Sequence, residues 1–103
     1  MKKNYSIALF AIALLPVATY ANLELAQKNG CTACHAIDKK VVGPAYQDVA
    51  KKYKSDKEAE AKLVASIRQG GAGKWGAIPM PPQPALSEKD TKTLAKWILS
   101  TAK

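Results

Sequence analysis

Five consecutive residues, Cys31-Thr32-Ala33-Cys34-His35, restrict the folds open to this chain more than any other feature. The 103 residues include two cysteines and one histidine, all of them in this segment. A chain of this length makes one domain. A domain so small buries little apolar surface and usually leans on a disulfide, a metal or a bound group. A disulfide between Cys31 and Cys34 would close too short a loop to stabilise much. A structural zinc site wants four ligands, and this segment offers three, so a carboxylate would have to help. A thioredoxin-like redox motif belongs in a βαβ setting, and no segment alternates like a strand. The reading that fits best is covalent attachment of a c-type haem, whose signature is Cys-x-x-Cys-His. Thiols three residues apart reach both vinyl groups from one tight turn. The next residue then carries its imidazole to the iron as proximal ligand.

The second axial position follows by elimination. His35 is the only histidine, so a bis-histidine site within one chain is excluded. Methionine is the usual alternative and raises the reduction potential. The chain has two methionines, Met1 and Met80. Met80 stands in Ile78-Pro79-Met80-Pro81-Pro82, where three prolines fix φ and stiffen its support. The plainer alternative for the segment is a polyproline-like linker with Met80 packing into the core.

Residues 1–21 read as an export leader. Met1-Lys2-Lys3 is positive, residues 7–17 are almost wholly apolar, and Thr19-Tyr20-Ala21 offers small residues for cleavage after Ala21. The alternative is an uncleaved membrane anchor, although the apolar run is short for a span. The domain is then 22–103, with 14 basic against 8 acidic residues, a formal +6. That balance favours acidic partners. Nucleic acid is an unsuitable one, because the lysines are dispersed and Arg68 is the only arginine.

Four short helices are expected and no sheet. The first covers about 22–29, with Asn22 as candidate N-cap and Gly30 as left-handed C-cap. The second covers about 45–53, with Pro44 at a tolerated helix start. In the third, Ser55 and Glu58 suggest a capping box. Leu63, Val64 and Ile67 then recur at helical spacing until Gly70-Gly71. The fourth begins at Ser87 and carries the apolar stripe Leu94, Trp97, Ile98. The long glycine- and proline-rich stretch 70–84 should be either functional or disordered.

Some neighbours of the site are candidates for support. A haem-ligating imidazole normally donates its other N–H to a carbonyl or carboxylate. Pro44 offers a carbonyl shortly after His35, a role compatible with simply starting a helix. Trp75 offers an indole N–H to a haem propionate, or else packs in the core. Trp97 reads as core. Arg68 and Lys74 read as solvated charges, with propionate contact the alternative. Lys28, Lys39 and Lys40 flank the attachment motif and suggest a basic rim that steers acidic partners; the bland alternative is a generally cationic, soluble surface.

Taken in order, Cys31-Thr32-Ala33-Cys34-His35-Ala36-Ile37-Asp38, Val42-Gly43-Pro44-Ala45-Tyr46, Trp75-Gly76, Ile78-Pro79-Met80-Pro81-Pro82 and Leu94-Ala95-Lys96-Trp97-Ile98-Leu99 closely resemble the bacterial cytochrome c-551/c-552 family, small class I cytochromes c. The resemblance covers essentially all of 22–103. It implies an all-α class I cytochrome c fold, with about four short helices wrapped around one covalently bound haem c. It implies Cys31 and Cys34 as thioether anchors, His35 and Met80 as axial ligands, Pro44 as carbonyl partner of the histidine and Trp75 at a propionate. It implies a monomeric, periplasmic one-electron carrier in a respiratory chain and no enzyme activity. After leader cleavage no stable membrane insertion is expected. The implied partners are cytochrome cd1 nitrite reductase, a terminal oxidase, cytochrome c peroxidase or the bc1 complex.

Two positions depart from the family pattern. Ser66 stands where some relatives have an arginine near a propionate. Gln83 stands where relatives often have the asparagine that steadies the methionine loop. The competing functions are a haem enzyme or ligand sensor, which needs an open sixth position, a haem module docked permanently in a larger complex, and a haem-free thiol protein.

Overall fold

The computed structural model of the chain describes residues 17–102. Four α-helices and one turn of 3₁₀ helix follow in order: α1 (Val17–Lys28), the 3₁₀ turn (Cys31–Ala33), α2 (Tyr46–Lys52), α3 (Ala59–Gln69) and α4 (Glu88–Ser100). Among the described residues no strand forms. Two isolated bridge pairs, His35 with Lys40 and Gly71 with Met80, tie loops to themselves.

The helices bury one stripe each, as amphipathic helices must. In α4 the buried positions include Thr91, Leu94, Ala95 and Ile98, spaced i, i+3, i+4, i+7. Thr91 is wholly buried, and its hydroxyl donates to the Ser87 carbonyl at 2.8 Å, so it leaves no unmet polar group there. The α3 stripe is Ala59, Leu63 and Ile67, and the α2 stripe is Tyr46, Val49 and Ala50. α4 packs against each of the other three helices. Ala26 of α1 and Ala95 of α4 are both buried in the common core. Each fully buried Leu or Ile in this core contributes about 1.5–3 kcal/mol.

The helix ends show where local rules hold. Ser87 caps α4, accepting from the Asp90 N–H at 3.0 Å. Gly30 takes φ 76°, the left-handed conformation expected after the first helix. Three expectations need correction. α1 runs from Val17, the first described residue, through Ala21, so Asn22 lies inside the helix and is no cap. Pro44 is not the first helical residue: Ala45 is the N-cap of α2, and Pro44 precedes it in the loop. The Ser55–Glu58 capping box does not form. Asp56 instead accepts from the Glu58 N–H at 2.8 Å and from Lys62 Nζ at 2.6 Å; the N-cap is Glu58, without a side-chain cap bond, and α3 starts four residues after Ser55. A carboxylate offers two acceptors to a chain that Lys62 brings back one turn later. A serine hydroxyl offers less.

The positive start and most of the apolar run read as a leader lie outside the described residues. Among the described residues no helix is long and apolar enough to cross a membrane.

Candidate haem-binding site

The attachment segment is built by a reversal. α1 ends with the Asn29 side-chain amide donating to the Leu25 carbonyl at 2.8 Å. Gly30 then turns the chain into the 3₁₀ turn, where the N–H groups of Cys34 and His35 both donate to the Cys31 carbonyl, at 3.2 and 2.9 Å. That turn brings Cys31, Cys34 and His35 to the wall of one cavity of about 540 Å³. Both cysteines are free and partly buried. Burial pushes the Cys31 thiol above its ordinary range, its own backbone N–H opposes this, and Cys34 adds to it.

The chain next folds back over the motif. Val42 and Gly43 donate their N–H groups to the Cys34 carbonyl, at 3.2 and 2.7 Å. This places Gly43 against the His35 ring, so close that an added Cβ would collide with Cε1 and stand 2.9 Å from Nδ1. The next residue, Pro44, sets its carbonyl 2.8 Å from His35 Nδ1. A carbonyl only accepts, so Nδ1 must carry the proton. Nε2 is left with its lone pair, the form in which imidazole binds a metal. The N–H groups of Tyr46 and Gln47 donate to the carbonyls of Ala36 and Ile37, at 2.9 and 3.0 Å. That pairing lays the Tyr46 ring on the imidazole, with centroids 5.4 Å apart and planes 24° apart.

Met80 reaches the same cavity from another direction. Gly71 and Met80 exchange both backbone hydrogen bonds, at 3.0 and 2.8 Å. Gly70 stops α3 at φ 67°, ψ −160°, a region essentially reserved for glycine. Its bare Cα faces the Met80 carbonyl and lies where a Cβ would be 2.8 Å from the Pro82 nitrogen. After the prolines, the Gln83 N–H donates to the Ile67 carbonyl at 3.1 Å and ties the loop back to α3. Residues 71–79 between these anchors are all exposed. The stretch 70–84 thus has a defined path, pinned at its base.

Trp75 sits in that exposed stretch, lines the cavity mouth and is 39 % exposed. Lys52 Nζ of α2 lies 4.6 Å from its ring centroid, a cation–π contact. Ser66 lines the cavity too, but its hydroxyl donates to the Lys62 carbonyl at 3.0 Å within α3. The Gln83 amide turns to the Pro81 carbonyl at a long 3.5 Å. Lys28, Lys39, Lys40, Arg68 and Lys74 are all exposed, and Lys40 and Lys74 stand on the cavity wall.

Two buried groups lack partners: the Tyr46 hydroxyl and the Trp97 indole N–H, both on residues that line the cavity. Burial raises the Tyr46 phenol far above its ordinary range, and the nearby Cys31 and Cys34 push it further, so it is neutral at all physiological pH. The wall is otherwise mostly aliphatic and aromatic. An imidazole with a free lone pair, a thioether, two thiols and an apolar slot of this size together suit a haem. Sequence reasoning missed Tyr46 as a site residue, although it follows Pro44 by two positions. It treated Gly70 only as a helix stop and Trp97 only as core.

Comparison with known proteins agrees with this geometry. A family model for cytochrome c matches residues 23–102. Cytochrome c-551 of Allochromatium vinosum is 48 % identical over 93 residues, which cover 90 % of this chain and 98 % of that protein. Cytochrome c-551 of Pseudomonas aeruginosa is 55 % identical over 76 residues, 74 % of this chain and 72 % of that one. The crystal structure of Nitrosomonas europaea cytochrome c552 superposes with a TM-score of 0.75 at 48 % identity, covering 77 % of this chain and 98 % of that one. The sequence, the helical fold around one apolar cavity and these likenesses agree: the chain belongs to the cytochrome c-551/c-552 family of class I cytochromes c, electron carriers with one covalently bound haem c.

Proposed function

We propose that the protein is a periplasmic one-electron carrier in which His35 and Met80 are the axial ligands of the haem iron and Cys31 and Cys34 its thioether anchors. The observation that carries this reading is the pairing of a His35 whose Nε2 lone pair is freed by the Nδ1–Pro44 hydrogen bond with a Met80 on the wall of the same cavity. When bound, the haem supplies a one-electron Fe(III)/Fe(II) couple. His35 supplies a nitrogen held in one tautomer. Met80 supplies a neutral sulfur, which favours the reduced state. The apolar wall acts in the same direction, because it disfavours the extra charge of the oxidised centre. Pro44 orients the histidine, and Trp75, which lines the cavity, would meet a propionate.

Export through the leader, with cleavage after Ala21, accounts for the positive start and apolar run of residues 1–21. The partners are respiratory redox proteins with acidic docking faces: cytochrome cd1 nitrite reductase, a terminal oxidase, cytochrome c peroxidase or the bc1 complex. Exposed Lys28, Lys39 and Lys40 beside the attachment segment support docking at that edge.

The test is the visible spectrum of the purified protein, ferric and ferrous, with and without carbon monoxide. A low-spin haem with a weak ferric sulfur–iron band, unmoved by carbon monoxide, is expected. A spectrum that carbon monoxide shifts readily would mean an accessible iron and would replace the carrier reading with an enzyme or ligand sensor.

A further inference from the structure

The His35 ring turns about its Cβ–Cγ bond, and the hydrogen bond from Nδ1 to Pro44 narrows that rotation without closing it. One hydrogen bond fixes an edge of the ring, and something must press on its surface to fix the plane. The structure supplies that surface. Tyr46 stacks on the imidazole at 5.4 Å between centroids and 24° between planes, within the range of offset aromatic pairs. Tyr46 does not yield, since it is 4 % exposed and backed by the edge of Trp97, 5.1 Å away at 62°. Trp97 is itself buried in α4. A continuous aromatic stack therefore runs from the imidazole into the core of the longest described helix, while Gly43 closes on the ring's Cε1 side.

We propose that Tyr46 is a positioning residue: its ring, backed by Trp97, sets the plane of the His35 imidazole and through it the electronic state of the iron. The inference rests on His35 being the ligand. The ring face does the positioning. The hydroxyl has no partner in the protein, so removing it should leave the stack intact. The orientations of both axial ligands govern how unpaired spin spreads over the ferric porphyrin, so with the methionine unmoved a turned imidazole is read in the haem-methyl proton resonances.

The experiment compares haem-loaded wild type, Tyr46→Phe and Tyr46→Leu by proton NMR and redox titration. Tyr46→Phe is expected to keep the wild-type order of haem-methyl resonances and the wild-type midpoint potential. Tyr46→Leu, which removes the ring, is expected to reorder those resonances and shift the potential. A wild-type pattern in Tyr46→Leu would overturn the proposal, as would a change in Tyr46→Phe as large as that in Tyr46→Leu. If Tyr46→Leu does not hold haem, the ferrous wild type decides: nuclear Overhauser contacts between the Tyr46 ring and the His35 imidazole support the inference, and their absence sinks it. The same spectrum separates the two readings. Missing ring-current-shifted histidine and methionine signals would mean that the ligation itself is wrong, whatever Tyr46 does.

Discussion

The two sides of the cavity are held by different physics. On the histidine side, every constraint is short-range and enclosed: a 2.8 Å hydrogen bond from the ring to Pro44, the Gly43 backbone against the ring, and a buried tyrosine on its face. On the methionine side, residues 71–79 are exposed and the loop is pinned at Gly71–Met80, at Gln83 and by one surface cation–π contact. Stiffness there comes from prolines, which restrict the chain without burying anything. Packed contacts fail together and at high cost, whereas a pinned loop opens locally at low cost. With His35 and Met80 holding the iron as proposed, the contrast implies that whatever displaces a ligand enters from the Met80 side.

Gly70→Ala should break this contrast most sharply. The residue sits at a glycine-only backbone conformation and its Cβ would strike the Met80 carbonyl, so the cost should be about 3 kcal/mol. Chemical denaturation reads that loss, and carbon monoxide binding to the ferrous protein should appear with it. Gly43→Ala is the matching lesion on the other side. Its Cβ would meet the imidazole, at a cost of about 2 kcal/mol, with a shifted potential and no gain in carbon monoxide binding. If Gly43→Ala admitted carbon monoxide more readily than Gly70→Ala, the comparison would be inverted. Lys52→Gln removes only the contact over Trp75 and should cost about 0.5–1 kcal/mol, seen as faster hydrogen exchange confined to the 71–79 loop.

The smallest effect lies far from the cavity and serves as a control. Asp56 is held below the ordinary carboxylate range, first by the Lys62 hydrogen bond and then by the Glu58 N–H. A carboxyl depressed in the folded state contributes stability that is present above its unfolded value near 4 and is lost as pH falls through its folded value. Lys62 is shifted the opposite way by the same pair, and its share is lost only as pH rises through its own raised value. Thermal melts from pH 6 down to pH 2 should therefore show slightly less acid sensitivity in Asp56→Asn than in wild type, with both axial ligands undisturbed. A changed sulfur–iron band in that variant would show that α3 couples to the Met80 loop more strongly than the geometry indicates.

The parts of this protein legible in its sequence are those whose cause is local. Cys31, Cys34 and His35 meet one cavity because a single 3₁₀ turn of the chain places them there, and their spacing alone states it. Ser87 announces the start of α4 and Gly30 the turn after α1 for the same reason. Met80 was reachable by counting methionines. Where local signals competed, a contact one turn further on decided: Asp56, held by Lys62, takes the Glu58 N–H, and the Ser55 box does not form. The Pro44 carbonyl at His35 was legible too, but the Tyr46 ring on the imidazole and the seat of Met80 against Gly70 were not. Tyr46 and His35 lie eleven positions apart, Gly70 and Met80 ten, and Lys52 and Trp75 twenty-three. No periodicity brings such pairs into contact. They meet because α2 and α3 both bury their apolar stripes against α4, and that packing leaves a slot that the imidazole and the thioether both line.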